Sequence, residues 1–157
     1  MKRRPRFNRL TVGALIWVSL WAIAAVTLFR RMSVATTELR QATSFQLGGL
    51  TGLSANALRL QWLLRVPGAE GRFSALVAEG SPAGKIFGAC GLQVIGSDRF
   101  QAARKELAKD DSEVMVFWGC LGSSMLVREV DLPQLCPRVR AGGLQWAMAE
   151  IDRILER

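Results

Sequence analysis

Twenty consecutive residues, Leu10 to Phe29 (LTVGALIWVSLWAIAAVTLF), contain no charge, no proline and a single glycine. A helix rising about 1.5 Å per residue carries such a run roughly 30 Å, the thickness of a bilayer's hydrocarbon core. We read it as one transmembrane helix, and it fixes how the rest of the chain must be arranged. The rival reading is a cleaved signal peptide, since Ala22-Ile-Ala24 and Ser33-Val34-Ala35 resemble small-residue cleavage sites. Signal h-regions are usually about 7 to 15 residues long, and this run exceeds them, so an uncleaved anchor is the expectation.

Charge around the run sets its expected orientation. Lys2, Arg3, Arg4, Arg6 and Arg9 precede it, against Arg30 and Arg31 directly after it. The positive-inside rule then places Met1 in the cytoplasm and residues from about 32 onward outside an inner membrane. The chain's net charge of +8 divides unevenly. Seven basic side chains flank the run, leaving fourteen basic against thirteen acidic ones over residues 32–157, a net charge of +1. A nearly neutral outer part lacks the concentrated basic face that nucleic-acid binding needs, so no nucleic-acid partner is expected. The partners expected are the lipid bilayer itself and another membrane or periplasmic protein.

The expected fold is mainly α: a basic cytoplasmic stub at 1–9, the span at 10–29, a juxtamembrane helix or linker at 30–49, and a small helical domain at 50–157. Residues 32–47 hold no proline or glycine, so the membrane helix can continue until Gly48-Gly49 stops it. Ser54 is placed to cap a helix over SANALRLQWLLR, which Val66-Pro67-Gly68 ends, with Leu58, Trp62 and Arg65 on one side. A short helix at Arg72–Glu79 follows, closed by Gly80. Ser81-Pro82 is a start signal, Ser at the cap and Pro at the first helical position, for PAGKIFGACGLQVI.

Within that segment Gly84, Gly88 and Gly91 recur along one stripe. Each costs a helix about 1 kcal/mol relative to alanine, so the stripe predicts very close approach of another helix. Asp98 with Gln101 predicts a capping box for DRFQAARKELAK, whose Phe100, Ala103 and Leu107 form an apolar stripe, giving a helical hairpin over 82–109.

EVMVFW (113–118) is β-prone. Paired with MLVREV it makes a minor β-hairpin near 113–130, and a strand followed by a helix is the alternative. Asp131-Leu-Pro133 can open a short helix that Pro137 ends. A last helix, about 143–157, aligns Leu144, Met148, Ile151 and Leu155, with Trp146 opposite them beside Glu150 and Arg153.

Absence dominates the chemistry. The chain has no histidine, which removes Ser-His and Cys-His nucleophiles, histidine-containing zinc sites and the usual general base near neutral pH. Gly80–Ile86 (GSPAGKI) fails as a phosphate loop, with three residues between its glycines instead of four and Ile86 after Lys85. Asp110 and Asp111 read as a solvated turn. No catalytic residue, cofactor or metal is expected.

Three cysteines remain, all beyond the span: Cys90, Cys120 and Cys136. In an oxidising compartment two of them pair, Cys90 with Cys120 as first choice and Cys120 with Cys136 as second. Trp17 and Trp21, four apart near mid-span, share a helix face on which a partner helix can lie, the plain alternative being lipid. Trp146 and Arg153 are the interaction candidates in the outer part, the alternative being a Trp covered by a loop. The expected role is therefore a membrane-anchored protein-interaction module. The alternatives are a thiol or redox protein using a free cysteine and a carrier holding an apolar ligand beside the glycine-lined helix.

Overall fold

The computed structural model describes residues 9–49, 52–118 and 121–140. They are mainly helical, with six helices and a three-stranded sheet. The chain divides into two compact units, Met1–Val34 and Ala35–Arg157.

In the first unit, helix α1 (Arg9–Arg40) is continuous, and every side chain described from Ile16 to Arg31 is exposed. The stretch Ile16–Arg40 is long and apolar enough to cross a membrane and lies near the N-terminus. Thr27 donates its hydroxyl to the Ile23 carbonyl at 2.8 Å, so this polar group is satisfied within the helix itself.

The second unit begins with the last turns of α1, where Ala35 and Leu39 are buried, and proceeds through β1 (Ser44–Gln46), a two-residue pairing of β2 (Gly48–Gly49) with β3 (Gly52–Leu53), and α2 (Ala55–Leu63). It continues through α3 (Ala69–Glu79), α4 (Pro82–Val94), α5 (Arg99–Leu107), β4 (Glu113–Trp118), β5 (Leu121–Leu126), a 3-10 turn at Val127–Glu129 and α6 (Leu132–Arg140).

Helix α4 is the axis of this unit. Nine of its thirteen residues are buried, and it packs against α3, α5, α6 and the sheet. Its start follows the expected chemistry: Ser81 Oγ accepts from the Gly84 amide at 3.1 Å, with Pro82 in the first turn. The glycine stripe meets what it predicts. A Cβ on Gly88 would stand 2.7 Å from the Phe73 carbonyl of α3, one on Gly91 2.5 Å from the Phe73 ring, and one on Gly84 2.7 Å from the Leu39 carbonyl in the last turn of α1. Backbone-to-backbone approach of this kind is available only where no side chain intervenes. Phe45 and Phe87, ring centroids 4.5 Å apart, join α4 to the sheet.

Several expectations change. The helix that was to run to Gly48-Gly49 ends at Arg40, where Ser81 binds the chain: its amide donates to Arg40 O at 2.8 Å and its hydroxyl to the carbonyl of Ala42, two residues past the helix end, at 2.6 Å. The freed segment becomes β1, pairing parallel with β4 so that buried Phe45 stands opposite buried Val116. Asp98 makes no capping box: it lies in helical backbone with no side-chain cap bond, and Ser97 Oγ instead accepts from the Arg99 amide at 3.2 Å. Pro137 does not end α6 but lies inside it, where it forgoes only one backbone donor.

The hairpin near 113–130 is present, β4 and β5 pairing antiparallel from Glu113↔Leu126 to Trp118↔Leu121. Its second strand is LGSSML, earlier than expected, and Val127–Glu129 turns away as the 3-10 segment. Sheet order is β1-β4-β5. In α2 the buried residues are Ala57, Leu60 and Leu63, leaving Leu58 exposed. The last helix expected at about 143–157 lies outside the described residues.

Candidate functional site

Two places in the described structure hold the residues singled out by chemistry. The first is the exposed run of α1. Trp17 and Trp21 are 66% and 70% exposed, and Ile16, Val18, Leu20, Ile23, Val26, Leu28 and Phe29 are exposed with them. Apolar side chains therefore surround this stretch, and the unit itself covers none of them. In water, each such side chain forgoes about 1.5–3 kcal/mol of burial. Arg9 is the first residue of α1, while Lys2, Arg3, Arg4 and Arg6 lie outside the described residues.

The second place is inside the folded unit. Cys90, in the middle of α4, and Cys136, in α6, are both fully buried in the same apolar core, near enough for their side chains to interact. Burial pushes the Cys90 thiol well above its ordinary pKa, and the neighbouring Cys136 adds to the shift. A reactive thiol needs access and a lowered pKa, and Cys90 has neither. Sequence reasoning passed over this pair because the two residues are forty-six positions apart and no local motif joins them. The one available signal was that each falls on the apolar side of its helix. Cys120, the expected partner of Cys90, lies outside the described residues, as do Trp146 and Arg153.

Asp110 departs from the solvated turn expected of it. Its Oδ2 accepts from Lys85 Nζ at 2.5 Å, with side chains only 13% and 27% exposed, and its Oδ1 accepts from the Ser112 amide at 2.9 Å. The Lys85 hydrogen bond, helped by Ser112, lowers the Asp110 pKa to about 2. Asp111 turns the other way and pairs with Arg128. The two carboxylates are thus spent on separate ion pairs, with no shared site for acid–base work between them.

Comparison with known protein families, with curated proteins and with solved structures finds no match to this chain.

A groove of about 350 Å³ lies where α5 ends and α6 begins, over Leu107 and Leu132, with Arg104, Arg128, Glu129 and Asp131 on its walls. Four charged side chains among its lining suit it poorly to an apolar guest. Beside the glycine-lined face of α4, where an apolar ligand was considered, the space is filled by α3 and the last turn of α1. Among the described residues no group of His, Cys, Asp and Glu is arranged to hold a metal ion.

Proposed function

We propose that the chain is a single-pass, membrane-anchored protein-interaction module, an accessory, assembly or inhibitory subunit. In this reading residues 10–29 span the inner (cytoplasmic) membrane, the N-terminus is cytoplasmic and the folded unit is extracytoplasmic. The observation that carries the anchor is the exposed run of α1: a helix apolar on all sides and uncovered by its own unit belongs in a solvent as apolar as itself. The basic stub supports the orientation.

The interaction role rests on what is left once chemistry is subtracted. Asp110 is committed to Lys85 and Cys90 and Cys136 are buried, and the exposed Trp17/Trp21 face is the feature left that favours a partner. A partner can be engaged through the Trp17/Trp21 face within the bilayer or through the folded unit.

Co-purification in mild detergent tests this directly. The tagged full-length protein is compared with a form beginning near Ser33, and every associated protein is identified. A stoichiometric partner held by the full-length protein and lost by the shorter form supports contact through the membrane helix, and one held by both supports contact through the folded unit. If neither holds anything at stoichiometric level, the interaction reading fails. A reporter fused after Arg157 that is active only in the cytoplasm overturns the orientation.

A further inference from the structure

We infer that Cys90 and Cys136 are the chain's disulfide pair, a covalent staple between α6 and the central helix α4. Both cysteines are wholly buried in one apolar core, on two helices that pack against each other, with their side chains in range to interact. Closing the bond brings the two sulfurs to roughly 2.05 Å. The staple also falls on a helix that is short and interrupted by proline. Helix α6 has nine residues, of which Pro133 and Pro137 are two, so its own hydrogen bonding cannot hold it in place. Its attachment depends on one side, where Leu132, Leu135 and Cys136 are buried while Pro133 and Gln134 stay exposed. Cys136 is the member of that side that can form a covalent bond.

The chemistry is thiol–disulfide exchange with a protein or small-molecule disulfide as oxidant. One cysteine thiolate attacks the oxidant, breaking its S–S bond and releasing one thiol. The second cysteine thiolate attacks the resulting mixed disulfide, forming the Cys90–Cys136 bond and releasing the other thiol. Two electrons pass to the oxidant, and the two cysteine protons end on its thiols. Burial keeps an oxidant from reaching either sulfur in the closed fold, so the bond forms as the unit folds and thereafter resists reductant. Formation in the cell rests on the extracytoplasmic placement proposed above, whereas formation in vitro does not.

Trypsin places each cysteine in its own peptide: Cys90 in 86–99, Cys120 in 110–128 and Cys136 in 129–138. Full-length protein in detergent is mapped without reductant in two samples. One is alkylated at cell lysis. The other is reduced in urea, returned to buffer with mixed reduced and oxidised glutathione, and then alkylated. The expected result in both is peptide 86–99 linked to 129–138, two hydrogen atoms lighter than the separate peptides, with 110–128 alkylated.

A link found only in the glutathione sample upholds the pair and counts against the extracytoplasmic placement instead. A link through 110–128, or alkylation of all three peptides after glutathione, overturns the inference. Cys120→Ser supplies the second measurement: its oxidised form should melt on the order of 10 °C above its reduced form, and equal melting would overturn the staple.

Discussion

Residues 16–29 of α1 and the thirteen residues of α4 are both apolar helices, and their environments are opposite. Every described side chain of the first is exposed, whereas nine of α4's residues are buried. Residues 16–29 carry no charge, whereas α4 holds Lys85, and the two also differ in how size is distributed: α4 carries Gly84, Gly88 and Gly91 on one stripe, onto which the Phe73 carbonyl and the Leu39 carbonyl close, while residues 16–29 contain no glycine and carry Trp17, Trp21 and Phe29 on their surface. A helix that presents small residues along a line asks for another backbone. One whose large apolar side chains stay exposed has no such neighbour, and the stretch Ile16–Arg40 is long and apolar enough to cross a membrane.

The largest expected effect breaks the symmetry between two phenylalanines. Phe87→Ala should cost about 3–5 kcal/mol in urea unfolding of the folded unit, since it empties a fully buried site against Phe45. Phe29→Ala removes the same ring from the exposed run and should leave that unfolding within about 0.5 kcal/mol of the parent. Equal losses would mean the two helices share one environment.

Next comes a charge in each helix. Leu20→Arg, near the centre of the apolar run, should weaken membrane insertion by about 2.5–3.5 kcal/mol, read as protein released from membranes by alkaline carbonate, with the melting of the folded unit unchanged. Retention equal to the parent's would remove the bilayer from the account.

Gly88→Ala sharpens the role of the glycine stripe. Alanine gains about 1 kcal/mol in helix propensity, yet its Cβ would meet the Phe73 carbonyl at 2.7 Å, so the variant should be about 1–3 kcal/mol less stable. A more stable variant would show that α3 can retreat, and that the close approach is incidental.

The smallest expected effect concerns how α4 carries a charge at all. Lys85 is tolerated on this helix beside Asp110, whose pKa is lowered to about 2 by that contact. A lowered folded-state pKa means stability that is present above the unfolded value near 4 and lost as pH falls from about 4 to about 2. Asp110→Asn should therefore cost about 1–2 kcal/mol at pH 6 and lose that part of the acid dependence, checked by urea midpoints at pH 6 and pH 3. A parent and variant that fall in parallel on acidification would remove Asp110 from the acid response.

Much of the local structure was legible because its causes are local. Ser54 and Ser81 cap the helices they were expected to cap, each accepting from an amide three residues on. Asp98 shows the limit of the same reasoning: its spacing to Gln101 fits a capping box, but Ser97 takes the Arg99 amide while also donating to Glu70 of α3 at 2.6 Å, a tertiary contact that re-aims the turn. The candidate site was less legible still. Cys90 was recognised, but its described neighbour Cys136 was not ranked as its partner, because the two meet only after α6 has docked on α4.

The long apolar helix, the mainly helical character and the glycine-lined stripe were readable from residue order alone, since each follows from interactions within one segment, whose spacing is fixed by about 3.6 residues per turn. Closure of the chain on itself set the end of α1 at Arg40, the parallel pairing of Ser44–Gln46 with Met115–Phe117, and the burial of Cys90 and Cys136 in one core. Those outcomes join residues tens of positions apart. Their free energy comes from burial and hydrogen bonds that exist only once the chain has closed on itself, and no local pattern encodes which distant partner will be there.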